Sequence, residues 1–323
     1  MFARSTIPAI AVAWFCLGLP TTAPAQSYPN RPVRMIVPFP PGGGSDLLGR
    51  TIAQELTGIL GQQVVVENRG GAQGCVGTAA VAKSKPDGYT VLLSFVGTLA
   101  MNPWIYREPG YDPVKDFSHV TYAAAQPPLV VVNPRVPVKN LKELAAIAKA
   151  KPQQLSFASG SSSGHLTGEL FNLIAGIRMV HIPYKGGGPA MIDVVAGNVD
   201  LLFASPAASI PMVRAGKLRA IAVAGPSRLA GVPDVLTAKE SGFPDFDVNG
   251  WYAVSAPANL PRDIIVRLNT DIGRALSSAA LKDRLATEGY DPRGSTPEEI
   301  TELVKVEYER WGKVVKAAGI KPE

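Results

Sequence analysis

Val33-Arg34-Met35-Ile36-Val37-Pro38-Phe39 runs straight into Pro40-Pro41-Gly42-Gly43-Gly44-Ser45-Asp46, and a helical stretch continues through Arg50 to about Leu60. An apolar run, a glycine loop and a helix in that order make a strand–loop–helix unit. The order recurs twice. Residues 155–158 precede a Ser/Gly loop at 159–164 and a helix over 165–175, and residues 179–183 precede a glycine loop at 184–188 and a helix over 189–196. Further strands are expected at 63–67, 90–94, 129–132, 200–203, 219–224 and 251–255. Further helices are expected at 74–82, 141–150, 262–276 and 281–287. Thr296-Pro297-Glu298-Glu299 is a capping box with proline at the first helical position. It opens a last helix whose apolar stripe is Ile300, Leu303, Val304, Tyr308, Trp311, Val314, Val315 and Ala318, a core-packing pattern. This alternation predicts an α/β chain with parallel-rich sheets covered by helices on both faces. Breaker-rich stretches near 126–129 and 246–251 suggest that the chain crosses between two lobes twice.

The composition permits this and removes other classes. The chain has 323 residues, 46% hydrophobic and 18% charged, enough to bury two cores and too apolar for disorder. The 32 glycines and 29 prolines show no collagen period. Two cysteines exclude a disulfide scaffold and a cysteine-based zinc ribbon. At the N-terminus, Arg4, a short apolar stretch over 7–19 and Ala23-Pro24-Ala25 read as a cleaved export signal covering 1–25. The apolar stretch is too short to span a bilayer comfortably, and Trp14-Phe15 before Cys16 argue against lipoprotein processing. Export implies a periplasmic protein. Loss of Arg4 lowers the net charge of +6 by one, a diffuse bias compatible with an anionic partner.

The chemistry lies where the glycines are. In open α/β sheets ligands bind beyond the carboxyl ends of the strands. A helix start presents unpaired N–H groups and partial positive charge, and glycine lets an anion approach the backbone. One such start contributes roughly 0.3–1 kcal/mol, so a micromolar carboxylate site, near −8 kcal/mol, needs several to converge. The loops lack both Gly-rich nucleotide fingerprints. No nucleic acid, metal or other cofactor is expected. The chain has three histidines and no H-x-x-x-H or C-x-x-C spacing.

Gly160-Ser161-Ser162-Ser163-Gly164 matches the G-x-S-x-G elbow of serine hydrolases. The histidines lie too close in sequence for that fold's Ser–acid–His order, so a hydrolase using Ser162 is a rival reading only. His165 reads either as packing beneath its loop or as a donor to a carboxylate. Asp46 and Arg50, four residues apart, read as a helix ion pair, and Cys75 as a small buried residue.

The chain resembles the solute-binding receptors of tripartite tricarboxylate transporters, the Bug family. The matching stretches are Tyr28-Pro29-Asn30-Arg31-Pro32-Val33-Arg34, Ile36 to Asp46, Val64-Val65-Val66-Glu67-Asn68-Arg69, Pro86-Asp87-Gly88-Tyr89-Thr90, Tyr111-Asp112-Pro113-Val114-Lys115-Asp116-Phe117, His181-Ile182-Pro183-Tyr184-Lys185-Gly186-Gly187 and Ala215-Gly216-Lys217-Leu218-Arg219-Ala220. The resemblance implies a two-lobed, periplasmic-binding-protein fold of the Venus-flytrap, type II-like kind. One lobe would hold 26–127 and 250–323, the other 128–249. It implies a monomeric, non-catalytic receptor that delivers a small organic carboxylate to the transporter's membrane subunits. A sensor adaptor for a membrane kinase is the alternative within the same binding chemistry. The carboxylate would sit between Phe39, Gly42, Gly43, Gly44 and Ser45 on one side and Tyr184, Lys185, Gly186 and Gly187 on the other. Thr98, Ser159, Ser161, Ser162, Ser163, His165 and Ser205 would complete the lining. Many members carry an acidic residue just after the strand at 200–203, where this chain has Ala204-Ser205-Pro206. That departure disfavours an amino-acid ligand and favours an unsubstituted organic acid.

Overall fold

The structure, a computed structural model, describes residues 28–322. The expected export signal and Cys16 lie outside the described residues. β1 (Val33–Val37) leads through the glycine loop into α1 (Gly44–Leu60), followed by β2 (Val64–Asn68), α2 (Cys75–Ala82) and β3 (Thr90–Phe95). A π-helical turn, Gly97–Met101, and α3 (Asn102–Ile105) lead to β4 (Phe117–Ala125). The chain then crosses to β5 (Leu129–Val132), α4 (Leu141–Ala150), β6 (Ser156–Ser159), α5 (Ser162–Ala175) and β7 (Val180–Pro183). α6 (Gly187–Ala196), β8 (Leu201–Ala204), α7 (Pro206–Arg214) and β9 (Arg219–Val223) complete the second unit. β10 (Trp251–Pro257) returns to the first, which closes with α8 (Arg262–Leu276), α9 (Ala279–Thr287), β11 (Asp291–Pro292) and α10 (Pro297–Ala317).

Two sheets result, ordered β11-β4-β10-β3-β1-β2 and β7-β6-β8-β5-β9. The glycine-loop units pair in parallel, β1 with β2 and β3, and β6 with β7 and β8. The sheets as a whole are mixed, which corrects the parallel-rich expectation. β4 ends where the chain leaves the first sheet and β10 begins where it re-enters, so the two run antiparallel. β5 and β9 are antiparallel for the same reason. The two crossings lie side by side. The Gln126 N–H donates to the Gly250 carbonyl at 2.6 Å, and a Cβ on Gly250 would lie 2.3 Å from the Gln126 oxygen.

β4 is absent from the strand pattern read in the sequence. Ser118, His119 and Thr121 break its apolar run, yet the strand is almost wholly buried. Its polar groups are satisfied internally, as burial requires. His119 Nε2 meets the Pro113 carbonyl at 3.2 Å and Nδ1 meets Ser255 Oγ at 2.9 Å. α10 begins with the expected capping box, Thr296 with Glu299. Its stripe packs on β4 and reaches α5, and Trp311 is completely buried with its indole N–H on Glu307 at 3.0 Å. One cluster of buried side chains therefore runs from Leu92 and Val96 beneath the first sheet to Phe157 and Phe203 beneath the second.

Candidate ligand-binding cleft

A cleft of about 770 Å³ opens where the two sheets meet. One wall is the loop from β1 to α1, Phe39 to Ser45, together with Gly71 to Gly74 ahead of α2. The other wall is the start of α5 at Gly160, Ser161 and Ser163, the start of α6 at Lys185 to Gly188, and Phe203 to Ser205 ahead of α7. Gln126 and Gly250, at the paired crossings, also line it. The helices that open on this space differ in one respect. Ser161 Oγ accepts the Gly164 N–H at 3.2 Å and caps α5. α1, α2, α6 and α7 start at Gly43, Gly74, Gly186 and Ser205 with no side-chain cap. Four helix starts that no side chain caps thus border one volume and lend it the partial positive charge of their N-terminal ends. Among the residues that line the cleft, Lys185 alone carries a formal charge. No carboxylate stands in that lining to repel an anion.

The walls are held by contacts behind them. Asp46 is buried and does not line the cleft. Its Oδ2 accepts the Gly42 N–H at 2.9 Å and Arg50 Nε at 3.0 Å, and its Oδ1 accepts Asn68 Nδ2 at 2.9 Å. Asn68 Nδ2 also donates to the Phe39 carbonyl at 3.1 Å. Burial pushes the Asp46 carboxyl up, but Arg50, the Gly42 N–H and Asn68 outweigh it and hold it below its usual range. The expected ion pair is therefore present, and it clamps the loop. Gly42 turns at φ 84°, a conformation that favours glycine. On the opposite wall, Gly160 lies against the backbone of the α6 loop, where a Cβ would sit 2.0 Å from Gly186 C and 2.2 Å from Gly187 N.

Of the residues expected at the site, Phe39, Gly42, Gly43, Gly44, Ser45, Ser161, Ser163, Lys185, Gly186, Gly187 and Ser205 line this one cleft. Five are absent from that lining. Thr98 is completely buried, and its hydroxyl bonds the Phe95 backbone. Ser159 Oγ meets His181 Nε2 at 2.6 Å, and His181 stacks on His165 at 3.8 Å between centroids. Burial, and then His165, pushes His181 down to about 4. His165 therefore follows its packing reading. Ser162 is buried in the first turn of α5. Tyr184 donates to Asp193 Oδ2 at 2.6 Å, and this bond, with burial, pushes its phenol up to about 12. Cys75 is buried, and burial raises its thiol. The glycine-rich wall Gly71 to Gly74 and the crossing residue Gln126 were not anticipated. The first follows β2 in the same strand–glycine–helix order as the other loops, so the same signal marks it. Gln126 carries no local signal, because only the chain crossing brings it to the cleft.

Comparison with known proteins places this architecture. The family described as "Tripartite tricarboxylate transporter family receptor" matches residues 48–320. The chain is 39% identical to Protein BugT of Bordetella pertussis over 307 residues, 94% of each chain. The structure of the Rhodopseudomonas palustris protein Rpa4515 with adipate is 36% identical, with a TM-score of 0.84 over 92% of this chain and 100% of that one. MatC from Rhodopseudomonas palustris with bound malate is 32% identical, with a TM-score of 0.79 over 89% of this chain and 100% of that one. With its sequence matched nearly end to end and its two sheets meeting at a glycine-walled cleft, the chain belongs to the tripartite tricarboxylate transporter receptor family.

Proposed function

We propose that this protein is a periplasmic receptor that binds a small organic carboxylate in the cleft and presents it to the membrane subunits of a transporter. The carrying observation is the convergence of four uncapped helix starts on a lining whose single formal charge is Lys185. Charge-assisted hydrogen bonds contribute about 1.5–3 kcal/mol each, so a few backbone donors and the helix dipoles supply a micromolar affinity. Adipate and malate in two relatives are ligands of this chemical kind.

The lobes are 26–127 with 250–323, and 128–249, joined at the paired crossings. Closure about these crossings brings the Gly42–Ser45 loop toward the α6 loop, and ligand affinity for the closed form drives it. Residues 1–25 direct export, and no helix among the described residues is long and apolar enough to cross a membrane. The receptor acts as a monomer and performs no chemistry on its ligand. Ser159, which meets His181, is 4% exposed and does not line the cleft, and Ser255, which meets His119, is completely buried.

Thermal-shift and calorimetric titration with dicarboxylates, tricarboxylates and aromatic acids tests the proposal. Saturable one-to-one binding of at least one acid is expected. Binding of none, or ester turnover lost in Ser162→Ala, would overturn it.

A further inference from the structure

Gln73 lies on the Gly71–Gly74 wall in the left-handed region, at φ 53° and ψ 32°, and Ala72 before it is at φ 44°. A residue with a Cβ adopts that conformation only against its own preference. Such strain persists where the surroundings impose it, and it concentrates at functional positions. The surroundings here are explicit. Asn102, completely buried, donates through Nδ2 to the Gln73 carbonyl at 2.9 Å and to Cys75 Sγ at 3.3 Å. The Gly74 N–H closes the turn on the Gly71 carbonyl at 2.9 Å.

The turn brings a half-buried side chain to the cleft, where its carboxamide makes no hydrogen bond to another described residue. The other polar side chain on this wall, Ser45, is directed at the Tyr252 hydroxyl at 3.4 Å. Gln73 therefore gives this wall its uncommitted side-chain donor and acceptor. A glycine would make the same turn without strain, so the strain buys nothing for the loop itself.

We propose that Gln73 determines the ligand specificity of the cleft. Its carboxamide hydrogen-bonds an oxygen function of the ligand other than the carboxylate held at the helix starts. The inference rests on the carboxylate reading above and narrows it to acids that carry a second oxygen group, such as a diacid or hydroxy acid, over those with an alkyl end. A neutral carboxamide does not require that second group to be charged. Discrimination arises because an alkyl end leaves the half-buried amide unpaired.

Calorimetry on the wild type, Gln73→Gly and Gln73→Asn tests this with matched probes: adipate against hexanoate, and succinate against butyrate. The wild type is expected to prefer the better-bound diacid over its alkyl mate. Gln73→Gly should cut that preference about fivefold, the worth of one hydrogen bond, by weakening the diacid and relieving the alkyl mate of the unpaired amide. Its Tm should hold or rise, because glycine makes the turn freely. Gln73→Asn keeps the carboxamide and tolerates positive φ, so it should retain part of the preference. An unchanged preference in Gln73→Gly overturns the inference and leaves the carboxylate reading standing. So does an equal loss for all probes with a lowered Tm, which would mark a loop-shaping role. Failure of the wild type to bind any of the four probes, or any other acid, removes the carboxylate reading and this inference with it.

Discussion

Replacing Gly160 with alanine puts one methyl group where the two loops of the second lobe touch. The added Cβ lies 2.0 Å from Gly186 C, 2.2 Å from Gly187 N and 2.3 Å from Gly186 O, all backbone atoms. Backbone cannot rotate away as a side-chain tip can, so the α6 loop must retreat by about 1 Å to restore ordinary contact. Overpacking of this kind costs about 1–3 kcal/mol. The free protein sheds much of that strain by letting the α6 loop move outward. Ligand binding must then draw Lys185 and Gly186 back, so the same strain reappears as lost affinity. At about 1.4 kcal/mol per tenfold change, the carboxylate dissociation constant should rise roughly 5- to 150-fold. Whatever is not relieved should lower Tm, by a few degrees at most. Calorimetry with the best-bound acid and a thermal melt on the same sample measure both. Wild-type affinity together with wild-type Tm would refute the reasoning, because it would mean that the loops do not touch.

Gly58→Ala is the matching control: Gly58 is exposed within α1 with nothing within 4 Å of an added Cβ, so stability should rise by about 0.5–1 kcal/mol with affinity unchanged, read by denaturant unfolding and calorimetry. Asp46→Ala leaves the Gly42 N–H without its acceptor and the Asn68 amide with Phe39 as its one remaining acceptor, and should cost about 2 kcal/mol of stability while weakening ligand binding through the loosened loop; an unaffected affinity would show that the clamp does not shape the site. His119 is 3% exposed and burial pushes it down to about 4 from 6.5, so between these values the unfolded chain binds more protons than the folded one. Stability is therefore fully present above about pH 6.5 and declines as pH falls toward 4, by about 3 kcal/mol from this residue, with His181 adding in the same direction. Melts between pH 4 and 7.5 should show a dependence that His119→Gln reduces.

The strand–glycine–helix units were legible because each is local. Apolar run, loop and helix follow one another within about thirty residues, and the geometry that brings an anion to a helix start is set inside that unit. β4 was not legible, because what makes it a strand is distant. Ser255 and Pro113 satisfy His119, and the Ser295 carbonyl accepts from Thr121 at 3.0 Å. The mixed sheet direction followed from the two crossings, which were visible, but whose side-by-side pairing was not. At the cleft, sequence marked the loops and did not mark which side chains face inward. Tyr184 and Ser159 sit beside the right glycines, and their hydroxyls are bonded to Asp193 and His181. Gln73 shows the reverse: an ordinary residue type becomes conspicuous only through a backbone angle.

The central claim is that a carboxylate rests between the Gly42–Ser45 loop and the α6 loop. The most direct measurement is a crystal structure of the protein with the acid that titrates best, or with one that co-purifies. One carboxylate group should lie within hydrogen-bonding distance of backbone N–H groups, directly or through one water, at the starts of both α1 and α6, with the lobes closed over it. An acid bound elsewhere on the surface, or in the cleft with its carboxylate turned from both helix starts, would contradict it.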